Sequence, residues 1–190
     1  MKVIFNIKKL QMQPITATSD QGIPTYSETV LRVPGTVSLT MDNESTTDPF
    51  YADGIAYYSP AGATSATGTL ENALFPNSVL EQIFKYIKDS NNNLLETDEA
   101  PGEFGMQFAC DSDDGEVYFT YYRVSATKPG INLQTSEASA TINPQSVDIT
   151  ASTVTLSSGQ NILKSFCTKD MANYATYMSG ITLPTVLESV

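Results

Sequence analysis

Over most of the chain apolar and polar residues alternate with a period of two, the pattern of strands with one buried face. Residues 3–16 are extended in character, and residues 17–28 (ATSDQGIPTYSE) read as a polar loop with Gly and Pro. In TVSLTM, Val37, Leu39 and Met41 alternate with Thr36, Ser38 and Thr40. Residues 67–74 predict another strand. From Glu103, EFGMQFACD and EVYFTYYRVSA predict two strands joined by SDDG, with an Asp-Gly turn at Asp114 and Gly115. Residues 136–151 and 152–157 predict further strands, interrupted by Pro144. The end of the chain, from about Asn161, fits a short helix or an arm, the arm beginning after about residue 165.

One segment has a different period. Pro76, Asn77 and Ser78 precede VLEQIFKYIKD, and Ser78 with Glu81 has the spacing of a capping box. Val79, Leu80, Ile83, Phe84 and Ile87 fall on one helical stripe. The spacing predicts a helix over 78–89 with that stripe packed on a sheet.

FYADGIAYY, residues 50–58, predicts a hairpin with Asp53 and Gly54 as a two-residue turn. Ala52 then faces Ile55, Tyr51 faces Ala56 and Phe50 faces Tyr57. Both faces are apolar or aromatic, so both require cover. Burial inside the domain and contact with another molecule satisfy that requirement equally. The chain as a whole reads as one mainly-β domain, residues 1–190, with a single helix.

Composition narrows the function. The net charge of −11 argues against binding to phosphate backbones or anionic membrane surfaces. The charge is uneven. Residues 1–41 carry four cations and two acids (+2), residues 42–116 carry two cations and fifteen acids (−13), and residues 117–190 balance at zero. MKVIFNIKKL is not a signal peptide, and no window approaches a membrane span. Two cysteines make no disulfide scaffold; Cys110 continues the alternation of Phe104, Met106 and Phe108 and reads as a small core residue.

With no histidine, the usual Ser-His and Cys-His nucleophiles and the common zinc sites are excluded, and there is no GxxxxGK phosphate loop. Asp89, Asn91 and Asn93 have the first spacings of a calcium loop. Leu94 replaces its sharp-turn glycine and Ala100 its last carboxylate, so a coil at a helix end is expected. Asp111, Asp113, Asp114 and Glu116 sit at a hairpin tip, where acids serve turns and solvation. No catalytic, cofactor or metal residues are assigned, and the chain is expected not to be an enzyme.

PGTVSLTM (34–41), FYADGIAYY (50–58) and TGTLENALFPNSVL (67–80), in that order and spacing, resemble the major tail protein family of long-tailed, non-contractile bacteriophages. INPQSVDITAS (142–152) is similar to the family's closing strands; Gly54 departs from the acidic residue expected there. The resemblance implies a β-sandwich or flattened barrel flanked by one α-helix. Six copies form a ring, and rings stack into a hollow tail tube that carries DNA without binding it specifically. It implies a virion protein assembled in the host bacterial cytoplasm, with a tape measure protein, a tail terminator and distal tail or initiator proteins as partners. On this reading residues 42–66 form an inter-subunit loop, with Phe50, Tyr51, Asp53, Gly54, Ile55, Tyr57 and Tyr58 at the interface, and part of the 42–116 acidity faces the channel. A carbohydrate-binding β-sandwich and an adhesin subunit are the alternatives.

Overall fold

The computed structural model describes residues 2–45, 50–52, 55–58, 64–131 and 143–184. In chain order its strands are β1 (Ile4–Thr18), β2 (Pro24–Tyr26), β3 (Leu31–Arg32), β4 (Thr36–Ser45), β5 (Phe50–Ala52), β6 (Ile55–Tyr58) and β7 (Thr64–Asn72). Helix α1 (Asn77–Gln82) follows. Then come β8 (Ile87–Lys88), β9 (Leu94–Leu95), β10 (Phe104–Ser112), β11 (Gly115–Ala126), β12 (Gln145–Ser152), β13 (Val154–Thr155), β14 (Asn161–Ile162) and β15 (Lys164–Cys167). A 3-10 helix, Tyr174–Ser179, comes last.

Nine strands join in one antiparallel sheet, in the order β2-β1-β10-β11-β12-β7-β4, with β3 beside β1 and β15 beside β11. β11 serves two neighbours on one edge: Tyr118–Tyr121 pair with β15, and Arg123–Ala126 pair with β12. Leu10, Met12, Phe104, Met106, Phe108, Tyr121 and Val124 from one half meet Ala66, Leu70, Val147, Ile149 and Ala151 from the other in one core cluster. A long antiparallel sheet folded about one core is consistent with a β-sandwich.

The helix is shorter than its stripe. It has six residues, Pro76 is its N-cap, and no side chain caps it, so the Ser78–Glu81 box does not form. Glu81 instead pairs with Lys88 at 2.8 Å. The helix cannot run on because Lys85 takes φ 59° and the needed carbonyls are occupied. The Gly102 N–H donates to Ile83 O at 2.7 Å, and Thr97 Oγ1 donates to Lys85 O at 3.0 Å. Val79, Ile83 and Phe84 are fully buried, with Phe84 edge-on to Phe75 at 5.5 Å, and Leu80 is partly buried. Ile87 is not part of this packing: it lies on β8 and is 53% exposed.

Other boundaries shift for local reasons. The polar loop 17–28 contains β2, paired to the end of β1. The β10–β11 turn is Asp113-Asp114, with Ser112 opposite Gly115; Ser112 Oγ closes it early by donating to Gly115 O at 2.6 Å. A register shift between Thr36 and Ser38 takes Val37 out of phase, leaving it 54% exposed. Asp42–Ser45 and Thr64–Ala66 are paired strand rather than loop, so the insertion between β4 and β7 is narrower than 42–66. Within it β5 and β6 pair as Ala52↔Ile55 and Tyr51↔Ala56, but a register shift places Phe50 opposite Tyr58 rather than Tyr57. Asp53 and Gly54, and the predicted strand residues 136–142, lie outside the described residues. The segment after 165 starts as strand β15 and lies against the sheet through about residue 184.

Candidate functional site

β4, β7 and β12 each alternate Ser, Thr, Asp or Glu with residues that are mostly apolar. Their register aligns the polar positions in four rows across the sheet: Ser38–Glu71–Ser146, Thr40–Thr69–Asp148, Asp42–Thr67–Thr150 and Glu44–Ser65–Ser152. All twelve are at least partly exposed, while Ala66, Leu70, Val147, Ile149 and Ala151 face the core behind them. Each row carries one carboxylate and two hydroxyls. None of the twelve is Lys, Arg or aromatic.

Three of the eight hydroxyls donate to carboxylates. Ser38 Oγ donates to Glu71 Oε2 at 2.7 Å, Thr67 Oγ1 to Glu44 Oε1 at 2.7 Å, and Thr69 Oγ1 to Asp148 Oδ1 at 3.3 Å. Such bonds hold the anionic side chains without neutralising them. The nearest cation in register is Arg123, opposite Ser152. Its guanidinium is committed elsewhere, donating from Nη2 to Thr18 Oγ1 at 3.3 Å and Gly22 O at 3.1 Å, with Nε 3.5 Å from Glu103.

The other acidic group, at the β10–β11 tip, is treated in the opposite way. Asn6 and Lys9 adopt positive φ, 52° and 54°, and β1 shifts register against β10 at both places. Neighbouring strand residues normally point to opposite faces. Here Lys8 and Lys9 both reach Glu116, at 2.8 and 2.6 Å. Lys8 also pairs with Asp111, Lys169 pairs with Asp114, and Asp113 Oδ1 accepts the Lys2 N–H at 2.7 Å. The Lys8 ammonium, then that of Lys9, holds the Glu116 carboxyl down at about 2. Lys8 likewise lowers Asp111, and the Lys2 N–H lowers Asp113. Three of the four tip carboxylates are therefore paired with lysines, Asp111 and Glu116 with the N-terminal strand and Asp114 with Lys169, whereas those of the sheet face have no lysine or arginine partner among the described residues.

The remaining sequence candidates find structural roles. Asp89 closes the β8–β9 hairpin: Oδ1 accepts the N–H groups of Asn91 and Asn93, both at 2.8 Å, and Oδ2 accepts Asn93 Nδ2 at 2.9 Å. These bonds, led by the Asn93 amide, lower its carboxyl. Cys110 is half-buried against the core and Cys167 is buried; burial raises both thiols. One run, Ser125-Ala126-Thr127-Lys128, has the spacing of a Ser-Lys nucleophile. It lies at the end of β11, where residues three apart do not share a face. Ser125 Oγ turns to Thr150 O, and the Lys128 ammonium sits on Thr97 O and 5.9 Å over the Tyr86 ring.

The sequence pointed to acidity in 42–116, and Asp42, Glu44 and Glu71 come from there. It missed Asp148, supplied by β12 from the part of the chain with no net charge. The signal was present, as alternate Ser, Thr, Asp and Glu in three separate strands; only register joins them. Phe50, Tyr51, Ile55, Tyr57 and Tyr58 are placed by backbone pairing alone, on the separate β5–β6 ribbon. No protein-family model matches the chain, and no curated protein matches it in sequence.

Proposed function

We propose that the chain is the structural subunit of a phage tail tube, of the kind built by long-tailed, non-contractile bacteriophages. Copies form hexameric rings in the host cytoplasm, the rings stack, and DNA leaves the virion through the bore. The observation that carries this reading is the sheet face of four carboxylates and eight hydroxyls with no cation. DNA carries one negative charge per ~1.7 Å of duplex, so it binds wherever Lys and Arg can neutralise phosphates. A bore lined by this face offers it nothing to bind and repels it over about 10 Å at 0.1 M salt.

Two further features support assembly. β4 is the last strand of the sheet, ten residues long with one edge unpaired among the described residues, and such edges accept another strand. The insertion between β4 and β7 carries the β5–β6 ribbon, to which the reading assigns the contact made by Phe50, Tyr51, Asp53, Gly54, Ile55, Tyr57 and Tyr58. A sugar platform is less well supported. The polar face has no aromatic residue, and Tyr118 and Tyr174 are stacked on each other at 4.8 Å. The test is negative-stain electron microscopy of the purified protein, with light scattering across concentration. Tubes or six-fold rings are expected, alone or once tail initiator proteins are added; a uniform monomer under both conditions removes the reading.

A further inference from the structure

Beyond β15 the chain crosses the sheet on the side opposite the core. The seat it occupies is polar. Gln11, Gln107 and Thr120 lie directly opposite one another on β1, β10 and β11, and all three are buried. The glutamines of this seat bind main chain of the segment above, while the segment's own tyrosines reach the sheet by side chain, the Tyr177 hydroxyl meeting Ser165 Oγ at 2.6 Å and the Tyr174 hydroxyl donating to Glu116 O at 3.2 Å. Gln11 Nε2 donates to Met178 O at 2.9 Å, Gln107 Nε2 donates to Tyr177 O at 3.1 Å, and the Ile181 N–H donates to Gln13 Oε1 at 2.8 Å. The 3-10 helix buries no residue of its own. One apolar contact ends the segment: Ile181, 6% exposed, packs with Tyr122 and Val154 against Tyr26. That socket exists because residue 105 is glycine; a Cβ there would stand 2.3 Å from Ile181 Cδ1 and 2.9 Å from the Tyr26 ring.

We propose that residues 174–181 form a latch, a unit that opens from the sheet while the sheet stays folded. The seat is suited to two states. A row of Leu or Phe could not be left wet, but glutamine and threonine exchange their bonds to the latch for bonds to water at small net cost. Besides the isoleucine plug, opening separates the Tyr174 and Tyr177 rings from Tyr118 of β11, on which they stack at 4.8 and 6.1 Å. Opening also reaches the sheet edge. Met178 lines a groove of about 590 Å³ with Lys8, Arg32, Gly35 and Thr36, the first residue of the edge strand β4. The closed latch narrows that groove; the open latch bares it together with the glutamine row.

The inference stands apart from the tube reading, and its test reads the latch alone. Amide hydrogen exchange on the full chain is followed at Tyr174, Thr176 and Ile181 against amides of β10 and β11. Protection at the three latch amides is expected to be at least about a hundredfold weaker than in those strands. Gly105→Val, which fills the socket, is expected to lower it by a further factor of about ten and leave β10–β11 protection within about twofold. Ile181→Ser removes the plug without touching the sheet and is expected to do the same, should Gly105→Val fail to fold. Latch and strand amides with equal protection in the wild-type chain, lost together in Ile181→Ser, would overturn the proposal.

Discussion

Replacing Glu71 and Asp148 by lysine reverses two of the four charges on the polar face. Both lie on strands inside the sheet, and among the described residues the side-chain hydrogen bonds broken are those donated by Ser38 and Thr69. Stability is expected to change little, with Tm within about 2 °C of wild type. The electrostatic effect is larger. A unit charge about 7 Å from a phosphate in water contributes about 0.6 kcal/mol, and screening at 0.1 M salt roughly halves it. Reversing a charge counts twice, so the two substitutions shift the interaction with DNA by about 1.2 kcal/mol per copy, and by about 7 kcal/mol over a ring of six. Assembled tubes would be mixed with short duplex DNA and sedimented at 0.1 and 0.5 M salt. Wild-type tubes are expected to carry down no DNA, and the double variant to retain it at low salt and release it at high salt. Variant tubes that retain no more DNA than wild type at 0.1 M salt would refute the placement of this face toward the bore.

Tyr51→Ser with Tyr58→Ser is expected to abolish tube assembly while circular dichroism and Tm stay those of the wild-type monomer; normal tubes would show that the ribbon makes no essential contact. At Gly68 a Cβ would stand 1.8 Å from Thr40 O on the neighbouring strand. Gly68→Ala is therefore expected to force β4 off β7 at a cost of about 3 kcal/mol, a drop in Tm of about 10 °C, and an unchanged melting curve would contradict the close approach. Phe84→Ala is expected to cost about 3–5 kcal/mol in urea unfolding and Ile87→Ser less than about 0.5; equal costs would mean that the helix continues to 87. Glu116, held at about 2 by Lys8 and Lys9, contributes stability that is complete above its unfolded value of 4.5 and lost as pH falls toward 2. Exposure of the lysines reduces this contribution to about 1 kcal/mol. Wild type and Glu116→Gln are thus expected to differ by that amount at pH 7 and converge near pH 2, and a gap independent of pH would refute the assignment.

The strands were legible wherever one face is buried. Phe104, Met106 and Phe108 alternate with residues that face the latch, and Val147, Ile149 and Ala151 with residues that face solvent. The helix start was legible from Pro76, but its end was not, because Gly102 and Thr97 terminate it from outside the segment. The convergence of Lys8 and Lys9 on Glu116 was hidden for a different reason. It depends on left-handed backbone at Asn6 and Lys9, where no glycine marks the shift. The C-terminal latch left little trace as well, since main-chain bonds, one isoleucine and two tyrosines without periodic spacing hold it. The rows of the polar face lay between these cases: each strand showed its hydroxyl and carboxyl positions, but their alignment joins residues as distant as Ser38 and Ser146.

Acidity that served only solubility would be scattered among cations, as on ordinary surfaces. Here the two signs are sorted. Lys8, Lys9 and Lys169 meet the hairpin-tip acids, and none of these three cations pairs with a carboxylate of the sheet face. A negative face also works against its own sheet, because like charges directly opposite on neighbouring strands destabilise the pairing. The register avoids that cost. Each row holds one carboxylate, every carboxylate has a Ser or Thr as its cross-strand neighbour, and three of the four receive a hydroxyl donor from the next strand. The outcome is a surface that stays anionic without a counterion and without opposing its own hydrogen bonds. Those are the two conditions a wall must meet if a polyanion is to slide along it and not adhere.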